Sequence, residues 1–214
     1  MNKSAKIDLY LCIHNQNIHM NFLAHFILSH NHPEISFGNF MTDMLKPKEQ
    51  RAWPEFLQTG IELHHFIDDF TDHHPVNKDL RNLIRPYFRK YAGVALDLYY
   101  DYVLFRHWDK WSPESFADFR NQQYQIIWDY FEYVPDRLHH RINDMTSGDF
   151  LKTYTTLHGQ QFAFRKMDQR SDFETGFSEA TNILPKIMDE LDEGFQVFFP
   201  EIFEATKKKV DSYL

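Results

Sequence analysis

The stretch GIELHHFIDDFTDHH, residues 60–74, carries four histidines and three aspartates (Asp68, Asp69, Asp72) in fifteen residues. At about 100° per residue, Leu63, Phe66, Ile67 and Phe70 share one face of a helix. His64, Asp68 and Asp72 fall in a narrow arc elsewhere on the wheel, with His65 close by. Taken alone, that arc is the solvated side of an amphipathic helix, which is what such a wheel ordinarily means. The alternative is that the arc turns inward and holds a metal ion. The rest of the chain bears on the choice.

Around this stretch the punctuation is proline. Pro54 suits the first turn of a helix that runs to about Asp72, and Pro75 stops it. Residues 47–53 read as a loop. Upstream, a helix is expected over residues 21–30, with His25 between Phe22 and Phe26. A histidine in apolar company is more often a satisfied core residue than a ligand. Pro33 ends that segment, and a short helix follows over residues 36–45, where Asn39 and Asp43 are four apart and share a face. Downstream, Asn77 is placed to cap a helix that Pro86 kinks or divides. Lys78, Arg81, Arg85 and Arg89 form a basic stripe along it. Such a run is ordinarily a wet surface; in a chain of net charge −8 it is also a docking site for an acidic partner.

The segment GVALDLYYDYVLFRHW, residues 93–108, is apolar in nearly every direction around the wheel, so it reads as a buried helix. Asp97 and Asp101, four apart, lie on one face of it. Two ionised carboxylates side by side in a core repel each other and lose their hydration. They persist only beside a cation or under strong hydrogen bonding. A salt bridge to an arginine such as Arg106 is the plain alternative to a metal. The remaining segments, 113–130, 135–145, 150–167, 174–184 and those opened by Pro185 and Pro200, also have helical periodicity.

Composition agrees with an all-α, single-domain helical bundle. Of 214 residues, 43% are hydrophobic, with 21 Phe, 11 Tyr and 4 Trp, while seven Gly and nine Pro are few for a turn-rich β fold. The negative balance argues against nucleic acid as a partner. No run approaches eighteen uninterrupted apolar residues, so no membrane span is expected. The single cysteine, Cys12, excludes an intrachain disulfide and a cysteine zinc site and suits a reducing, cytoplasmic setting. Residues 1–19 are polar and unpatterned, without the features of a signal peptide. They read as a dispensable N-terminal extension to a domain over residues 20–214, with Met20 a possible alternative start.

His25, the pair His64 and Asp68, and the pair Asp97 and Asp101 lie on three expected helices that can converge in a bundle interior. Mixed imidazole and carboxylate ligands suit Mn²⁺, Fe²⁺, Mg²⁺ or Zn²⁺. Such an ion polarises a phosphoryl oxygen and makes a nucleophile of water near neutral pH. Phosphoester hydrolysis is the natural reaction class, since there is no Walker A loop, GxSxG elbow or HExxH motif.

The blocks MNFLAH (20–25), GNFMTD (38–43), GIELHHFIDDFTD (60–72) and LDLYYDYVLFRHW (96–108) resemble acyl carrier protein phosphodiesterase, in the family's own order. The resemblance covers roughly the N-terminal half. It implies a divergent, distorted HD-domain-like phosphohydrolase without an adjacent His-Asp pair, and this chain contains no such dipeptide. It further implies a divalent metal, Mn²⁺ above Mg²⁺ or Fe²⁺, and hydrolysis of holo-acyl carrier protein to the apo form and free 4′-phosphopantetheine.

Carried across by position, the metal ligands are His25, His64, Asp68 and Asp97. Asp43, Asp68 and Asp101 are the catalytic set, Asp72 and Asp101 supporting or alternative ligands, and Arg106 and His107 phosphate contacts. The stripe Lys78, Arg81, Arg85 and Arg89 becomes the dock for the acidic carrier protein. His65, Phe66 and Tyr102 depart from the family pattern at positions where a basic residue, Arg and His are expected. Two competing readings are an HD-like phosphohydrolase of a nucleotide or other small phosphoester, and a non-catalytic helical module that binds carrier protein.

Overall fold

In the computed structural model, residues 22–169, 171 and 173–214 are described. The N-terminal extension, Cys12 and Met20 lie outside them. Among the described residues every regular element is helical, as expected. No described helix is long and apolar enough to cross a membrane.

Proline opens helices here more often than it closes them. Helix α1 is Phe22–Ile27, shorter than expected, because His30 and Asn31 take positive φ and turn the chain. Helix α2 (Pro33–Met41) and helix α3 (Pro47–Ala52) both carry proline in their first turn. The residues before them, His32 and Lys46, are extended, as steric contact with the following pyrrolidine ring requires. The segment read as a loop over residues 47–53 is therefore a short helix. A 3-10 turn, Thr42–Met44, follows α2 and carries Asp43.

Helix α4 (Glu55–His73) matches its expected limits. His74 is extended ahead of Pro75, which opens helix α5 (Pro75–Phe88). Asn77 is inside α5, not at its cap: its buried side chain donates to the Thr71 carbonyl and accepts from Tyr100 Oη. Pro86 does not divide α5, which continues to Phe88. Pro200 likewise lies inside the long helix Met188–Asp211 and does not separate a last one.

The centre of the body is α2 against α4. Every residue of α2 from Ile35 to Met41 is buried. Gly38 and Gly60 form the crossing. A Cβ on Gly60 would lie 2.5 Å from the Ile35 carbonyl oxygen and 2.6 Å from Gly38 Cα. Only two glycines let these backbones come so close. Helix α6 (Ala92–Arg106) fills the core beside them, with Leu96, Leu98, Tyr99, Val103 and Leu104 buried. Each fully buried Leu or Val there contributes roughly 1.5–3 kcal/mol.

In the second half, helices α7 (Trp108–Trp111), α8 (Phe116–Asp129), α9 (Asp136–Ser147), α10 (Phe150–Thr153), α11 (Leu157–Asp168) and α12 (Ala180–Ile183) wrap this centre. The expected single helix over 150–167 breaks before α11, where the Thr156 hydroxyl caps the Gly159 amide. Helix α13 (Met188–Asp211) packs across α4, α5 and α6.

Candidate metal centre

Because α4 is pinned to α2 at Gly60, His64 one turn later is pressed into the interior and not into solvent. Both His64 and His25 are 3% exposed. Their rings stack with centroids 4.3 Å apart and planes 19° apart. Asp68, one turn beyond His64, stands between them: Oδ1 is 3.5 Å from His25 Nε2 and Oδ2 is 3.3 Å from His64 Nε2. Asp43, from the turn after α2, places Oδ1 3.1 Å from the same His64 Nε2. His25, His64 and Asp68 each offer a donor atom within 4.8 Å of the others, and among the described residues they form the group suited to a cation.

The far sides of both rings meet Asn39. Its Oδ1 is 2.7 Å from His25 Nδ1 and 3.1 Å from His64 Nδ1, and its carbonyl oxygen is 2.9 Å from His64 Nδ1. Asn39 Nδ2 donates to the His25 carbonyl at 2.9 Å and to Ser29 Oγ at 3.0 Å.

The electrostatics favour charge at the centre. Burial opposes a charged His64 ring, but hydrogen bonds to Asp43 and Asp68 outweigh it and raise its pKa to about 10. Burial also opposes ionised Asp68, yet the two imidazoles hold its carboxyl well below the usual range. In the metal-free protein, a proton on His64 Nε2 thus supplies positive charge between two carboxylates.

The residues present fit a divalent cation. His25 Nε2 is buried without a formed hydrogen bond, aimed at a carboxylate that it only approaches. Two imidazole nitrogens and a carboxylate oxygen are a donor set for Mn²⁺, Fe²⁺, Mg²⁺ or Zn²⁺.

Other expected site residues lie elsewhere. Asp101, fully buried, gives both carboxylate oxygens to backbone amides: Leu23 N at 3.2 Å and Ala24 N at 3.1 Å. Burial pushes its carboxyl well above the usual range despite those bonds. It therefore anchors the turn that carries His25 and is not one of the three clustered residues. Asp97 is buried on α6 and is not one of the three clustered residues. Asp72 is half exposed and pairs with Arg81 at 3.2 Å. His107 is hydrogen-bonded to Asp192 of α13, and Arg106 is exposed at the end of α6; neither is one of the three clustered residues.

His65 lies edge-on to His64, ring centroids 5.8 Å apart, on the exposed side. His74 is buried between Phe70 and Phe198. In the basic stripe, Lys78 and Arg85 are exposed, Arg81 is held by Asp72 and Arg89 pairs with Glu174 at 3.1 Å. Arg81, Arg85, Arg89 and Lys90 line a groove of about 730 Å³. The residue missed by sequence reasoning is Asn39; the available signal was an amide one turn before Asp43 beside a glycine in an otherwise apolar helix.

A family model described as acyl carrier protein phosphodiesterase matches residues 20–202. A relative with that name from Enterobacter sp. (strain 638) is 28% identical over 194 residues, which cover 89% of this chain and 99% of the relative. One of the same name from Escherichia coli (strain K12 / DH10B) is 27% identical over the same extent. No solved structure matches the chain significantly.

Proposed function

The chain belongs to the acyl carrier protein phosphodiesterase family, and from that premise we propose that it hydrolyses holo-acyl carrier protein to apo-carrier protein and 4′-phosphopantetheine. Water adds to phosphorus, the phosphorus–oxygen bond to the carrier serine breaks, and the serine oxygen takes up a proton. The observation that carries this reading is the pair of buried Nε2 atoms, His25 and His64, converging on Asp68 in a chain that matches the family over 183 of its residues, 20–202.

His25, His64 and Asp68 are the residues that would hold a divalent metal, Mn²⁺ above Mg²⁺ or Fe²⁺. Such a cation, when bound, supplies polarisation of the phosphoryl oxygens and a lowered pKa for water. Asp43 is the group left to orient the attacking water and take its proton. It is 3.1 Å from His64 Nε2 and on the solvent side of the two rings. His65, at the rim, is near enough to meet the substrate phosphate where the family pattern has a basic residue. Asp101 and Ser29 act through the backbone around His25.

The acidic carrier protein docks on α5. Lys78 and Arg85 offer their charge to it directly, whereas Arg81 and Arg89 already face Asp72 and Glu174. We place the activity in the cytoplasm, in keeping with the one-cysteine composition. The domain begins at residue 20, where the family match begins, and the preceding residues are dispensable.

The test is incubation of the protein with holo-carrier protein and Mn²⁺, followed by intact-mass spectrometry. Loss of the phosphopantetheine mass, with apo-carrier protein as the product, supports the proposal. An unchanged carrier protein alongside cleavage of small phosphodiesters would replace it with the small-phosphoester reading.

A further inference from the structure

Asn39 is fully buried where α1, α2 and α4 meet. Its amide nitrogen faces the His25 carbonyl at 2.9 Å and Ser29 Oγ at 3.0 Å, while the Ser29 hydroxyl gives its own proton to that same carbonyl at 2.9 Å. A carbonyl oxygen only accepts, so the amide atom facing it must be the NH₂ group. That fixes which way the amide is turned. Oδ1 then faces the two imidazoles, at 2.7 Å from His25 Nδ1 and 3.1 Å from His64 Nδ1. An amide oxygen cannot donate, so each Nδ1 carries the proton of its hydrogen bond.

We infer that Asn39 is the positioning residue of the centre: one amide oxygen holds both imidazoles by Nδ1–H and turns both Nε2 atoms toward Asp68. This rests on the metal-dependent reading for its purpose, but the hydrogen-bond arrangement stands apart from it. A histidine that binds metal through one ring nitrogen commonly donates from the other, which fixes ring orientation. Here a single side chain serves two rings, which stack with centroids 4.3 Å apart.

The two rings are not held equally. His64 Nδ1 has a second acceptor, the Asn39 backbone carbonyl at 2.9 Å, which no side-chain substitution removes. His25 Nδ1 has only Oδ1 among the described hydrogen bonds. Truncation of Asn39 therefore frees His25 and leaves His64 in place, an asymmetry that general loosening of the core would not produce.

The experiment uses the full chain, ¹⁵N-labelled on histidine. Buried, hydrogen-bonded ring N–H groups exchange slowly and give separate ¹H–¹⁵N signals. Wild-type protein should show an Nδ1–H signal for both His25 and His64. In Asn39→Ala the His25 signal should vanish while that of His64 persists, and Mn²⁺ affinity should fall about 10–100-fold. Asn39→Asp, which keeps an acceptor oxygen in place, should retain the His25 signal and serves where Asn39→Ala does not fold. Absence of either signal in the wild type overturns the inference. So does an Asn39→Ala protein with both signals and unchanged Mn²⁺ affinity. Wild-type protein that shows both signals and takes up no Mn²⁺ supports the Asn39 arrangement and contradicts the metal reading.

Discussion

Gly60→Ala tests whether the crossing of α2 and α4 builds the site. The added methyl would lie 2.5 Å from the Ile35 carbonyl oxygen, 2.6 Å from Gly38 Cα and 2.7 Å from Asn39 N, against 3.4 Å for ordinary contact. All three are backbone atoms of α2, so no side chain can move aside. The helices must part by about 0.9 Å to bring the nearest contact from 2.5 Å to 3.4 Å. Overpacking of this kind costs about 1–3 kcal/mol, and the better helix propensity of alanine returns about 1 kcal/mol. The net loss is about 0–2 kcal/mol, a fall in Tm of up to roughly 8 °C at this size.

The effect on the site is larger. The His64 Nδ1 contact to the Asn39 carbonyl is 2.9 Å and that of Nε2 to Asp43 is 3.1 Å. Added separation of that size takes both beyond hydrogen-bonding range; with the Nδ1 contact that orients the ring lost, Mn²⁺ affinity should fall about 10-fold or more. Thermal melts and Mn²⁺ titration read the two effects separately. Gly93→Ala is the control, because its methyl would meet nothing nearer than Arg81 Cδ at 3.9 Å; it should leave Tm unchanged or raise it. A Gly60→Ala protein that melts like Gly93→Ala and binds Mn²⁺ as the wild type does would refute the reasoning.

Asp43→Asn should lower kcat about 10²–10⁴-fold while Mn²⁺ affinity changes little; equal loss of both would make Asp43 a ligand and not a base. Arg85→Glu should weaken cleavage of holo-carrier protein and spare a small phosphodiester, and equal loss on both would remove the docking role. Burial and the nearby Lys207 lower the His30 pKa from 6.5 to about 4. The unfolded chain therefore binds the extra proton first, so the contribution of neutral His30 is complete above pH 6.5 and is lost as pH falls toward 4. Urea midpoints of wild type and His30→Gln between pH 7 and pH 4.5 should diverge on that account; parallel curves would exclude His30 as the source.

Much of this was legible before any coordinates. Prolines 54 and 75 bracket α4, and the four-residue spacing of His64 and Asp68 survives into the structure as one edge facing His25. His25, which apolar company made look like ordinary core, is indeed buried, yet its Nε2 lacks the hydrogen bond that a satisfied core histidine would have.

Periodicity says which residues share a face but not what that face meets. Asp101 is as buried as its apolar neighbours predict, and what faces it is a pair of amides from a distant turn. Asp72 follows the His64–Asp68 register by one more turn, but there it is half exposed and Arg81 is its neighbour. Asn39 was overlooked because its role depends on the approach of Gly38 to Gly60, a contact between segments twenty-two residues apart. Pro33 reads as a stop and Pro47 as the start of a loop, yet each opens a helix, because a proline ends one helix and begins another with equal steric ease.

The most direct test of the account is equilibrium Mn²⁺ binding, followed by the EPR signal of the free ion, in wild type and Asp68→Asn. The substitution keeps the shape of the side chain and removes the charge shared by His25 and His64. The account predicts a single saturable site in the wild type and its loss in Asp68→Asn. Undiminished binding in Asp68→Asn, or no binding in the wild type, would contradict it.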